Sequence, residues 1–142
     1  MASPPSRAAG FFVTGTLALA AVGFAAFAVQ WLVHPSAMAG PLGIVLQNGD
    51  ATSDARAVYG GLELGLAAFL SYCAMSAARR TLGLTAATFA MLGLGLARLG
   101  GVLVAPEGVT GATHQLLGTD FGGAALCAVA LWVSRSLHRS GV

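Results

Sequence analysis

Four long apolar segments divide the chain, and short polar stretches separate them. The segments cover approximately residues 11–33, 57–77, 82–104 and 114–133. Each is long enough to cross a bilayer, which needs about 20 mostly apolar residues in a helix. The pattern predicts an all-α protein, an integral membrane four-helix bundle in which residues 1–142 form a single domain.

The composition supports a membrane location. Of 142 residues, 56% are hydrophobic and only 8% are charged, and the mean hydropathy is +0.79. Soluble domains carry about 25% charged residues, so this composition excludes an ordinary soluble fold. A net charge of +2 with no basic face also excludes a nucleic-acid-binding protein.

The first segment has features of a cleavable signal peptide. It follows Arg7 and contains Ala26-Phe27-Ala28, which is typical of a cleavage site. The apolar run continues to Val33, however, and so exceeds the roughly 7–15 residues of a signal core. We therefore expect a retained helix that ends at His34-Pro35, with Trp31 as an anchor at the membrane interface.

The connection between the first two segments, residues 35–54, is long for a compact domain. Its middle, residues 41–46, is apolar, and we expect it to lie on the membrane surface or to cap the bundle. Residues 47–50, with the sequence Gln-Asn-Gly-Asp, predict a turn.

The arginines predict the orientation. With a cytoplasmic N-terminus, most of them fall on the cytoplasmic side: Arg7, Arg79, Arg80, Arg135 and Arg139. The connections on the other side carry acids instead: Asp50, Asp54 and Glu107. The positive-inside rule then gives N-in and C-in, in a multi-pass protein of the inner (cytoplasmic) membrane.

Polar residues from all four predicted helices lie at a similar depth on the outer side. The members of this layer are Gln30, Arg56, Tyr59, Glu63, Arg98 and Asp120. Glu63, Arg98 and Asp120 lie about 10 Å inside the outer ends of their helices. Isolated charges are costly at that depth, so we expect Arg98 to pair with Glu63 or Asp120.

This polar layer has several interpretations, and the sequence leaves them open. It is either an ion-pair network that fixes helix register or the floor of an outward-facing pocket. Such a pocket would bind a small or lipophilic ligand, or a partner. A membrane enzyme of the isomerase or cyclase type would use Glu63 or Asp120 as a general acid or base. A small proton-coupled transporter is a further alternative.

Paired glycines favour close contacts between helices. Gly61 and Gly65 on the second segment, and Gly118 and Gly122 on the fourth, have the spacing at which helices approach closely. These faces predict packing within the bundle or a homo-oligomer.

No cofactor and no metal site are predicted. His114 has no second His or Cys at ligand spacing, so it is expected simply to begin a helix. Cys73 and Cys127 both lie in apolar segments. We expect them to be small buried residues rather than a metal or redox pair.

One motif carries a resemblance to a known family. The second segment contains Arg56, then Tyr59-Gly60-Gly61 and Leu64-Gly65-Leu66, and it resembles the signature of an uncharacterised membrane family, domain of unknown function 4345. Arg98 in the third segment and an acid in the fourth, here Asp120, are similar to that family as well. The resemblance implies the four-helix fold and membrane location, and it supplies no reaction. More loosely, the plan is similar to DoxX-like proteins.

Overall fold

The first long helix, α1, covers Pro4–Val33 in a computed structural model that describes residues 4–139. One face of α1 is buried, and its members recur every three or four residues: Val13, Leu17, Ala20, Phe24, Ala28 and Trp31. The other face exposes large apolar side chains such as Leu19 and Val22. A helix that is apolar all round suits a position with one face in the bundle and the other in lipid.

The connection after α1 contains two short helical pieces. His34 leaves helical geometry, with φ −127° and ψ 56°, and the next residue begins α2, Pro35–Ala39. A 3₁₀ turn, Gly40–Leu42, follows and ends at Gly43, whose φ of 69° favours glycine. The connection is therefore ordered rather than a plain loop.

Residues 41–46 cover one end of the bundle, which we call the capped end. Leu42 and Leu46 pack against a buried cluster that contains Trp31. The Thr110 hydroxyl, from a later connection, donates to the Pro41 carbonyl oxygen at 3.3 Å. Of the two positions predicted for this stretch, the structure shows the cap.

The second span, Gly49–Ala74, begins at Gly49 rather than near Ala57. Its three parts are α3 (Gly49–Ala55), a π-helical segment (Arg56–Leu62) and α4 (Glu63–Ala74). The Asn48 side-chain oxygen accepts a hydrogen bond from the Ala51 N–H at 2.9 Å and so caps α3. The turn predicted at 47–50 is therefore wrong at Gly49 and Asp50, which begin a helix, while Asn48 forms a bend before it.

The π-helical segment lies against the end of α1. Gly60 packs so tightly that a Cβ there would lie 2.6 Å from Leu32 Cγ. Arg56 Nε donates to the Leu32 carbonyl oxygen at 3.0 Å. Wide π turns inside α-helices are frequent at functional sites. Here the segment contains Tyr59 and leads directly to Glu63.

The helix α5, Ala77–Val104, follows α4 after a very short turn. The predicted boundary lay several residues later because Arg79 interrupts the apolar pattern. In the structure Arg79 belongs to the first turn of α5, and its Nε donates to the Tyr72 carbonyl oxygen at 3.3 Å. Its guanidinium also lies 3.9 Å from the centre of the Tyr72 ring. The tight link makes α4 and α5 antiparallel neighbours.

The last helix, α6, covers Gly111–Arg139 and packs against α5 and α1. Four helical spans are long and apolar enough to cross a membrane: α1, Gly49–Ala74, α5 and α6. Residues 4–139 contain no strand. The prediction of an all-α, four-helix membrane fold is confirmed.

Paired topology reporters will test the predicted orientation. We expect a fusion after Arg80 and one after Arg139 to read cytoplasmic, because arginine-rich ends stay on that side. A fusion after Gly43, in the cap, should read external. At each site, green fluorescent protein and alkaline phosphatase should give reciprocal signals. A cytoplasmic signal after Gly43 would contradict the N-in orientation.

Candidate functional site

An ion pair joins α5 to α6 near the capped end. Arg98 Nε donates to Asp120 Oδ2 at 3.0 Å, and the Asp120 side chain is only 9% exposed. The helices approach closely here because Gly95, one turn before Arg98, has no side chain. A Cβ at Gly95 would lie 3.3 Å from Asp120 Cβ. The prediction that Arg98 pairs with an acid of this layer is confirmed.

Glu63 lies near this pair but does not join it. Within residues 4–139, no cation approaches the Glu63 carboxylate to ion-pair distance. Its Oε2 atom is buried and has no hydrogen-bond partner among the described residues. An acid in such surroundings is costly unless it is protonated or meets a partner. Of the two acids in the layer, Asp120 is in an ion pair and Glu63 is not, among the described residues.

The structure places Gln30 and Arg56 away from this group. Gln30 is exposed, and its Nε2 donates to the Ala26 carbonyl oxygen at 3.3 Å. Arg56 is also exposed and is held by Leu32 as described above. The side chains of both residues lie outside the space that the other members share.

That space is a cavity of about 400 Å³ at the capped end. Four of the predicted site residues line it: Tyr59, Glu63, Arg98 and Asp120. The rest of the wall is mostly aromatic and aliphatic, and includes Phe24, Phe27, Trp31, Leu42, Leu94 and Leu116. Volume and lining are typical of a small-molecule site, since such pockets span about 300–1,000 Å³ and place a few polar groups in an apolar wall.

Trp31, which was predicted to be an anchor at the membrane interface, lines the cavity. It is fully buried, and its ring stacks on Tyr59 with 4.5 Å between centroids. The indole N–H has no hydrogen-bond partner among the described residues. The spacing from Phe24 through Ala28 to Trp31 continues the buried face of α1, and this periodicity was the signal for burial.

His114 and the two cysteines take ordinary positions. His114 is exposed at the start of α6, with Nδ1 3.0 Å from the Thr110 carbonyl oxygen. Cys73 and Cys127 are free and buried in the apolar core. In the part of the chain that the structure describes, no three His, Cys, Asp or Glu side chains group together in a way that would hold a metal ion.

The fold and site together define a class: a four-helix membrane protein with a polar cluster in a cavity at one end. The chain belongs to the family described as Domain of unknown function (DUF4345), which matches residues 12–133. This match confirms the family resemblance found in the second segment. No curated protein and no solved structure matches the chain.

Proposed function

We propose that this protein resides in the inner (cytoplasmic) membrane and binds a small, lipophilic, uncharged ligand in the cavity at the capped end. The observation that carries the proposal is the cavity itself, about 400 Å³ in volume, with two carboxyl groups and one guanidinium in an apolar wall. A purely structural ion-pair layer needs no such space. The arginine distribution supports the choice of membrane.

The charges in the cavity favour an uncharged ligand. Two carboxyl groups, those of Glu63 and Asp120, face a single guanidinium, that of Arg98. Asp120 already accepts from Arg98, so the cavity offers no surplus positive charge to an anion. A cation would have to leave its water shell for a wall that is mostly apolar, which is costly. A ligand hydroxyl avoids both costs and can donate to a carboxylate.

The aromatic wall supports binding of an apolar ring or chain. Phe24 and Phe27 line the cavity beside the stacked pair of Trp31 and Tyr59. Rings of this kind bury large apolar areas with a defined geometry. An apolar ligand body therefore has a wall to contact, while its hydroxyl reaches the polar cluster.

Glu63 is the residue through which the enzyme and transporter alternatives can be tested. Asp120 is held by Arg98, whereas the Glu63 carboxylate is not ion-paired among residues 4–139. Glu63 is therefore the better candidate for proton transfer. A Glu63→Gln variant that binds ligand but loses turnover would identify an enzyme. If the parent protein shows acid-dependent flux in liposomes and the Glu63→Gln variant loses it, the protein is a transporter.

Filling the cavity should abolish binding. Gly23 lines the cavity, and a Cβ there meets nothing within 4 Å, so Gly23→Leu places a side chain in the space without a backbone clash. The probe is benzyl alcohol, and the readout is Trp31 fluorescence in a Trp132→Phe background that leaves one tryptophan. We expect saturable binding to the parent and a loss of about tenfold or more in Gly23→Leu, as for an overpacked site.

Gly15→Leu is the matched control, because Gly15 lies on the same helix in open space and outside the cavity. It should bind benzyl alcohol like the parent. Benzoate should bind about tenfold more weakly than benzyl alcohol, because juxtaposed like charges are unfavourable. Equal binding by the Gly23→Leu and Gly15→Leu variants would show that the alcohol does not occupy the cavity.

A further inference from the structure

A second depression lies beside the cavity, between α4 and α5. It is an open groove of about 730 Å³. Its walls are almost wholly apolar, and include Leu62 and Leu66 on one side and Phe89 and Ala97 on the other. Leu62 and Phe89 are largely exposed in the chain, at 69% and 70%. Because α5 and the second span, to which α4 belongs, have the length and apolar character of membrane spans, this groove opens toward lipid.

Glycines keep the groove open. Gly65 on α4 and Gly93 on α5 both line it, and a Cβ at either position would meet nothing within 4 Å. The sequence predicted that Gly61 and Gly65 would pack against another helix, but within the chain Gly65 faces open space. It is Gly60 that makes the close contact, with Leu32.

The groove and the cavity share a wall. Phe24, Glu63 and Leu94 line both spaces. Among the described residues of the groove, Glu63 has the one polar side chain, so the groove is otherwise apolar and shares its single carboxyl group with the cavity. A molecule with an apolar chain and a hydrogen-bonding head would match the apolar groove and the polar cluster of the cavity.

We propose that the ligand is a single-chain amphiphile that enters sideways from the bilayer, with its uncharged head in the cavity and its apolar chain in the groove. This inference rests on the proposed function and adds the ligand class and its route. Glu63 stands where head and chain meet. A second copy of the protein packed on Gly65 would close this opening and bury the carboxyl group further without a partner, which is unfavourable.

The test compares a short and a long probe with the same head. Benzyl alcohol supplies the head alone, and para-dodecylbenzyl alcohol adds the chain. Both are titrated against the full-length Trp132→Phe protein in dioleoylphosphatidylcholine nanodiscs, with affinity expressed per mole fraction in the bilayer. Trp31, the remaining tryptophan, lines the cavity and reports its occupancy.

Filling the groove should affect only the long probe. In Gly93→Leu and, on the opposite wall, Gly65→Leu, we expect para-dodecylbenzyl alcohol to bind about tenfold more weakly or worse, as in an overpacked site. Benzyl alcohol should stay within about twofold of the parent, because neither glycine lines the cavity. Gly122→Leu, in open space on α6 and outside both sites, should bind both probes like the parent.

The alternative outcomes separate the two proposals. If the parent binds both probes and the groove variants bind both as before, the lateral route is wrong and the cavity site stands. If the groove variants lose both probes equally, the lateral route is also wrong, and the Gly23→Leu comparison decides whether benzyl alcohol occupies the cavity. If the parent binds neither probe, the proposed function fails as well. A parent dimer that Gly65→Leu converts to a monomer would show that a second copy fills the groove, and this result would also overturn the inference.

Discussion

Replacing Asp120 by asparagine is expected to lower the free energy of unfolding by about 3 kcal/mol, the cost of breaking a buried ion pair from one side. Asp120 accepts from Arg98 at 3.0 Å, and the Asp120 side chain is only 9% exposed. The guanidinium would be left without a counter-charge in an apolar wall. Unfolding by sodium dodecyl sulfate, followed by circular dichroism, measures the change.

The double variant Arg98→Gln/Asp120→Asn should lose less stability than Asp120→Asn alone. Two neutral side chains leave no unpaired charge, so the double change comes closer to neutral. Arg135→Gln is the control, because Arg135 is exposed near the end of α6 and should change stability by no more than about 0.5 kcal/mol. Equal effects of Asp120→Asn and Arg135→Gln would show that the ion pair does not stabilise the bundle.

Gly83→Ala is expected to destabilise the protein by about 1–3 kcal/mol, because it overpacks a close helix contact in the core. A Cβ at Gly83 would lie 2.6 Å from Cys73 Cβ and 3.0 Å from Leu17 Cδ2. Cys73 Cβ is fixed to the backbone of α4 and cannot rotate away, so α4 and α5 must separate. The same unfolding titration measures the effect.

Gly122→Ala provides the matched control. A Cβ there meets nothing within 4 Å, and alanine favours a helix over glycine by about 1 kcal/mol. We therefore expect Gly122→Ala to be neutral or stabilising. If the Gly83→Ala and Gly122→Ala variants unfolded alike, the close approach at Gly83 would not be part of the folded protein.

Much of the fold could be predicted because hydrophobic length alone identifies spans. The stop of α1 at His34-Pro35 and the tight link between α4 and α5 also follow from local chemistry. The start of the second span could not be found this way. Polar residues at 50–54 read as a loop, yet Asn48 caps a helix there and extends the span beyond its apolar part.

The site shows a different limit. Sequence position gives the depth of a residue along a helix, but not which way its side chain faces. Gln30 and Trp31 are neighbours on α1, separated by about 100° around the axis; Trp31 lines the cavity and Gln30 is exposed. Arg98 and Asp120 could be paired in advance because a buried charge demands a partner.

The glycines indicated close helix contacts, but the sequence did not show which way each glycine faces. Gly60 and Gly61 are adjacent, yet only Gly60 faces α1 closely, as the contact with Leu32 shows. Small residues mark both close helix contacts and open grooves, and only the rotation of the helix separates the two cases. The π-helical segment changes the rotation of the helix partway along the second span, and a regular helical pattern in the sequence does not reveal this change.

Native mass spectrometry of the protein released from its own membranes tests the central claim most directly. The parent and Gly15→Leu should carry a co-isolated small molecule of low polarity, whereas Gly23→Leu, whose side chain enters the cavity, should not. All three proteins must be extracted in the same detergent and show the same unfolding midpoint. A parent that carries no such molecule, or a Gly23→Leu variant that carries as much as the parent, would contradict a ligand-binding cavity.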